Sequence, residues 1–236
     1  MRLFAGTSGF SYKEWKGPFY PAELPDREML GFYGERLPAV EINNTFYRTP
    51  RAEMLAAWRD KVPDAFRFVL KAPRHVSFRQ RPPDGAAQLA QFCASARALG
   101  DQLGPLLFQL PPTLPADLEK LKWFAGALPA GTRAVFDLRH ASWRDPAVAD
   151  VLRDHGCTWC VSDTDDEDAP AIEPTADWGY ARLRRTSYSD ADLAAWATRL
   201  RAQPWREVYV FFKHEDEGAA PRMALRMTSA SEQAWA

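Results

Sequence analysis

Short apolar runs recur along the chain, each separated from the next by a stretch with helical periodicity or helix punctuation, which is the pattern of a parallel α/β fold. Eight runs read as strands: residues 3–7, 39–43, 66–71, 105–110, 133–139, 157–162, 180–184 and 207–214. Between them fall helical stripes. Met29, Leu30, Tyr33 and Leu37 mark the first; Leu89, Phe92, Cys93, Ala96 and Leu99 run to a stop at Gly100; Leu118, Leu121 and Leu128 mark the fourth. Val148, Val151 and Leu152 run to Gly156, Leu193, Trp196, Ala197 and Leu200 follow Ser189, and Met223 to Met227 belong to the eighth. Thr49-Pro50 and Asp145-Pro146 each place a capping side chain before a proline at the first helical position. Only the sixth helix is absent, because residues 163–178 are acidic and proline-broken. Eight strands with seven helices predict an α/β fold, a single (β/α)₈ barrel of the TIM type spanning 1–236 as one domain. A doubly wound sheet would carry a glycine-rich fingerprint after its first strand, and Gly6-Thr7-Ser8-Gly9 is not one.

Chemistry in a barrel collects at the C-terminal ends of the strands. Alternation puts Glu41 and Asn43 on one face of the second strand, Lys71 on that of the third, Gln109 on the fourth, Asp137 and Arg139 on the fifth. Tyr180, Arg182 and Arg184 share a face on the seventh, as do Tyr209, Phe211 and Lys213 on the eighth. The expectation is a ring of Glu41, Lys71, Gln109, Asp137, Arg139, Arg182 and Lys213 pointing into the barrel mouth. Such a ring is either a paired structural layer or a site whose groups separate one another's pKa values.

The loops add aromatic and basic character. The first carries Tyr12, Trp15, Phe19 and Tyr20, as stacking surfaces or as a core of its own; the second carries Phe46, Tyr47 and Arg48. After the third strand come Arg74, His75, Phe78, Arg79 and Arg81, and after the seventh Arg184 and Arg185. Guanidinium forks and rings suit a phosphorylated or nucleic-acid ligand.

Composition bounds the partners. Lys and Arg number 30 against 31 Asp and Glu, a formal net charge of −1, which argues against a globally basic nucleic-acid coat. No apolar run approaches the ~20 residues of a spanning helix, and the N-terminal stretch is too short in apolar length for a signal peptide, so the chain is expected in the cytoplasm with no membrane partner. Three cysteines fit a reducing compartment; Cys157 and Cys160 have C-x-x-C spacing but lie in a β-prone run, which favours a structural reading. Glu41, Asp137, His140, Asp163 and His214 fall at or beyond strand ends without any close ligand pair, and the cationic side chains compete for the place of a metal; no cofactor is expected, with a divalent metal as the minority alternative. Gly6-Thr7-Ser8-Gly9 lacks the elbow of a serine nucleophile.

Gly6-Thr7-Ser8-Gly9-Phe10-Ser11-Tyr12, Trp15, Gly17, Phe19-Tyr20-Pro21, the run Glu41-Ile42-Asn43-Asn44-Thr45-Phe46-Tyr47-Arg48, Gly104-Pro105, Phe108-Gln109-Leu110-Pro111 and Arg139-His140-Ala141-Ser142-Trp143 closely resemble the domain-of-unknown-function 72 family, also called YecE-like. The resemblance covers nearly the whole chain. It implies a TIM-type barrel similar to those of xylose-isomerase-like proteins and apurinic endonucleases, and no particular activity. It marks Tyr12, Trp15, Glu41, Asn43, Thr45, Phe46, Tyr47, Arg48, Lys71, Gln109, Arg139, His140, Ser142 and Trp143 as cleft residues. Where many members have Glu, this chain has Asp137; Arg184-Arg185 stands for a common His-Gly, and Lys213-His214-Glu215 for an acidic or amide pair.

Together these readings predict an anionic, phosphate-bearing small molecule or nucleic-acid fragment bound at the strand C-termini, with acid–base chemistry of a hydrolase or lyase kind. Glu41 and Asp137 would be the acid/base pair and Lys71 an electrostatic or basic group. Arg139, Arg182, Arg184 and Lys213 would clamp the anion, between walls of Tyr12, Trp15, Phe46 and Tyr47. The alternatives are metal-assisted phosphodiester hydrolysis, as in the apurinic endonucleases, and a non-catalytic binding or scaffold protein.

Overall fold

The computed structural model describes residues 1–77, 84–165, 170–213 and 216–235. Phe78, Arg79, Arg81, His214, Glu215 and residues 166–168 of the acidic segment lie outside them. The strands are β1 (Arg2–Ser8), β2 (Ala39–Ile42), β3 (Arg67–Lys71), β4 (Leu103–Leu110), β5 (Ala134–Leu138), β6 (Thr158–Trp159), β7 (Val161–Asp163), β8 (Trp178–Leu183) and β9 (Glu207–Phe212). All pair in parallel in one sheet of order β6-β5-β4-β3-β2-β1-β9-β8-β7. The expected sixth strand is broken at Cys160, so that β6 pairs with β5 and β7 with β8. One residue therefore joins the two ends of the sheet, and Thr158 Oγ1 donates to the Trp178 carbonyl at 3.0 Å across the join. The result is a nearly closed barrel.

Seven helices are described: α1 (Met29–Gly34), α2 (Ala52–Arg59), α3 (Asp84–Ala96), α4 (Leu118–Gly126), α5 (Pro146–Asp154), α6 (Asp190–Arg201) and α7 (Ala219–Trp235). The Asp145 carboxylate accepts from Ala147 N at 2.8 Å with Pro146 at the helix start, and Ser189 with Asp192 forms a capping box on α6. The cap expected at Thr49-Pro50 is corrected: α2 starts two residues later, with extended Arg51 at its N-cap and no capping side chain. Pro50 is instead buried, its carbonyl taken by Ser95 Oγ. Among the described residues no helix is long and apolar enough to cross a membrane.

Alternation sorts the apolar residues into two layers. Phe4, Val69, Leu107, Val135, Tyr180, Tyr209 and Phe211 fill the barrel interior, while Val40, Phe68, Leu106 and Phe136 meet the helical stripes through Phe92, Leu152, Leu200 and Met227. Cys157 belongs to the outer layer and Cys160 to the inner one, so the C-x-x-C pair straddles the sheet. At the N-terminal end Tyr209 stacks on Phe4 at 4.7 Å and Arg133 lies over Trp178 at 4.4 Å, closing the floor. Polar residues are thereby left for the other end.

Candidate functional site

Three strands supply the centre of that end. Glu41 (β2), Asp137 (β5) and Arg182 (β8) are at most 1% exposed, and all point inward as alternation requires. Arg182 bridges the two acids: one amino group lies 2.8 Å from Glu41 Oε1 and the other 2.7 Å from Asp137 Oδ2. Glu41 accepts three further hydrogen bonds, from Tyr180 O–H (2.6 Å), Ser8 O–H (2.8 Å) and the Asn43 amide (3.1 Å). Arg139 donates to Asp137 at 3.1 Å, and Arg184 stands 3.7 Å from Glu41 with its Nε unpartnered. Burial alone would raise both carboxyl pKa values, but the Arg182 charge and its neighbours overcome it and hold Glu41 and Asp137 well below the usual carboxylate range.

Lys71 sits at the end of β3, half-buried, its Nζ 4.3 Å from the centre of the Phe46 ring. It makes no hydrogen bond or ion pair with any described residue, since Arg182 has already taken the carboxylates. Desolvation, reinforced by the Arg182 and Arg184 charges and opposed by Glu41 and Asp137, pushes its pKa down to about 8. Thr45 fixes the local geometry by donating to the Lys71 carbonyl at 2.7 Å, while Arg74 N–H donates to the Phe46 carbonyl at 2.8 Å. Lys71, Phe46, Arg74, Ser77, Gln109 and Leu114 line a cavity of about 380 Å³ between the ends of β3 and β4, within the range of small-ligand sites.

Several expected wall and clamp residues lie elsewhere. Trp15 is buried, packed among Tyr12, Phe19 and Tyr20, so the first loop forms its own aromatic core rather than a stacking surface. Half-buried Tyr12 donates from its hydroxyl to the Ser8 carbonyl at 2.7 Å. Trp143 is also buried; its indole N–H donates to the Leu114 carbonyl at 3.0 Å, so it supports the cavity wall from behind. His140 is engaged in its own turn, its Nδ1 accepting from Ser142 N at 3.1 Å. Lys213 is exposed at the end of β9 and takes no part in the ion cluster. Tyr47 is 84% exposed and Arg48 is exposed, both outside the cavity lining. Sequence reasoning passed over Ser8 and Tyr180 as partners of Glu41. Alternation along β1, which turns Phe4 inward, turns Ser8 inward too and could have found it.

Arg182 occupies the space between Glu41 and Asp137 that a shared divalent ion would need. Among the described residues no three His, Cys, Asp or Glu side chains come together as a metal site. Among the described residues Glu41 and Asp137 are thus engaged by Arg182 rather than left open as metal ligands, and His214 lies outside those residues.

These features define a parallel β/α barrel with an ion-paired polar layer under a basic, cavity-bearing mouth. The family model described as "Protein of unknown function DUF72" matches residues 4–235, and the chain belongs to that family. It is similar to a DUF72 family protein of Thermotoga maritima MSB8, with 25% identity, a TM-score of 0.85 and coverage of 98% of this chain and 100% of that one. It is 22% identical to the UPF0759 protein YunF of Bacillus subtilis (strain 168), over 91% of this chain and 79% of YunF. It is 29% identical to the UPF0759 protein YecE of Escherichia coli (strain K12), over 46% of this chain and 40% of YecE.

Proposed function

We infer that the chain binds a small anionic, phosphate-bearing ligand, free or as the end of a nucleic-acid fragment, in the cavity beside Lys71. The carrying observation is the charge balance. Among the described residues, Lys71, Arg74, Arg139, Arg182 and Arg184 face only Glu41 and Asp137, and both carboxylates are already committed to Arg182. Among the described residues five cationic side chains thus meet two carboxylates at an opening where fields are focused, and that excess of positive charge favours an anion.

The acid/base roles then shift. Carboxylates held far below their ordinary range cannot deliver a proton near neutral pH and are poor bases, so Glu41 and Asp137 act as the frame. Buried and doubly engaged, Arg182 positions that frame, and the contacts to ligand fall to Lys71 and Arg74 with Gln109 and Ser77 as polar partners. With its pKa near 8, Lys71 both attracts the anion and exchanges a proton with it.

The test is a melting-temperature screen of sulfate, inorganic phosphate, sugar phosphates, nucleotides and short single strands. Stabilisation is expected from at least one anion class and is expected to vanish in the double variant Lys71→Met, Arg74→Ala. An undiminished shift in that variant would place the anion elsewhere.

A further inference from the structure

The ligand reading leaves the form of Lys71 unexplained: an amine with no acceptor among the described residues, beside two carboxylates it does not touch. We propose that Lys71 is a nucleophile that forms an imine with a small carbonyl compound bearing an anionic group, a 2-oxo acid or a ketose phosphate. The proposal rests on the anion-binding reading and names the chemistry of its ligand.

Four observations converge. Lys71 lines a cavity of a size suited to a small organic molecule, together with Arg74 and Gln109. Glu41 and Asp137 are engaged by Arg182 at 2.8 and 2.7 Å and by their other partners, so among the described residues no carboxylate pairs with the amine. The groups acting on it electrostatically are Arg182 from β8 and Arg184 just beyond its end, which favour loss of its proton, and Glu41 from β2 with Asp137 from β5, which oppose that loss. With a pKa near 8 about a tenth of the amine is free at pH 7, against roughly one part in 3,000 for an ordinary lysine. Finally, the Phe46 ring 4.3 Å from Nζ stabilises a cation over its face, and a protonated imine keeps the positive charge there.

The step balances without an oxidant or reductant. The free amine lone pair attacks the carbonyl carbon, forming a C–N bond. The carbonyl oxygen takes up protons, one from the nitrogen and one from solvent at the open mouth, and the C–O bond breaks to release water. The product is a protonated imine with the charge the lysine ammonium carried. Arg74 is placed to hold the anionic substituent, as a guanidinium suits carboxylate or phosphate.

The test is reductive trapping at pH 7 with sodium cyanoborohydride, using pyruvate and dihydroxyacetone phosphate as probes, read by intact mass and peptide mapping. One reduced adduct on Lys71 is expected from at least one probe, pyruvate pointing to an oxo acid and dihydroxyacetone phosphate to a ketose phosphate. Lys71→Arg is expected to lose the adduct, and in the native chain lactate or glycerol 3-phosphate, the matching non-carbonyl analogue, is expected to raise the melting temperature without labelling Lys71. A melting shift in the native chain without an adduct on Lys71, or labelling of Lys71 no greater than that of surface lysines, overturns the imine and leaves the anion site standing. Neither shift nor adduct overturns both.

Discussion

Arg182 and Glu41, 141 residues apart in the chain, meet at 2.8 Å with the guanidinium side chain 1% exposed and the carboxylate fully buried. Both charges are tolerable there only because each is held by several partners, and the pair with Asp137 behaves as one unit.

Arg182→Met removes the bridging charge and leaves two carboxylates buried side by side. A loss of about 3–5 kcal/mol in unfolding free energy is expected by denaturant titration. Adding Glu41→Gln and Asp137→Asn is expected to recover part of it, because the stranded charges then disappear. Additive losses in the triple variant would sink the account.

The acids also set an acid limit. Their folded pKa values lie below the unfolded ones of about 4, so their contribution is fully present above those unfolded values and declines as pH falls through the folded values. Melting temperature should therefore fall below about pH 4 in the native chain. Glu41→Gln should show a shallower acid slope, and parallel curves would contradict the assignment.

Tyr180→Phe deletes the hydroxyl that donates to Glu41 Oε2 at 2.6 Å. A loss of about 1–3 kcal/mol is expected, as for a buried charged acceptor deprived of one donor. A variant as stable as the native chain would show that the remaining donors suffice.

Lys71 acts with the same sign at the alkaline end of the pH range. Its folded pKa of about 8 lies below the unfolded value, so charged Lys71 disfavours folding at neutral pH, and this penalty fades as pH rises from 8 towards the unfolded value. Lys71→Met should raise the melting temperature at pH 7 by more than at pH 10. Sulfate, whose charge is constant over this range, should bind the native chain about tenfold more weakly at pH 9 than at pH 7, and Lys71→Arg should lose this pH dependence.

The cysteines should be silent. Burial pushes Cys93 up to about 11 and Cys157 to about 12, and Cys160 is raised well above its ordinary value. A thiol-specific aromatic disulfide should label none of the three until the chain is unfolded; rapid labelling in the native state would reopen the redox reading.

Alternation made much of this readable beforehand. In Val40-Glu41-Ile42 and Phe136-Asp137-Leu138 the polar residue faces the interior whatever the details of the fold, and Tyr180 and Arg182 obey the same period. Partnership was not readable, because Tyr180 and Glu41 are 139 residues apart and only register brings them together. The burial of Trp15 and Trp143 is not legible in the sequence, since a ring in a loop looks the same whether it packs inward or lines a cleft. Lys213 was placed in the ring by a strand drawn too long: β9 ends at Phe212, so alternation no longer constrains the residue after it. The break at Cys160 escaped notice because the apolar run continues through it.

That break carries a consequence for how the molecule comes into being. β5 and β6 are joined by two registered pairs, and β7 and β8 by three, where β1 and β9 share six. This is the weakest seam of the ring, and Asp137 and Arg182 lie on opposite sides of it, on β5 and β8. Sealing the seam and assembling the charged triad are thus a single event. A chain caught with its barrel open would lack the assembled triad beneath the mouth.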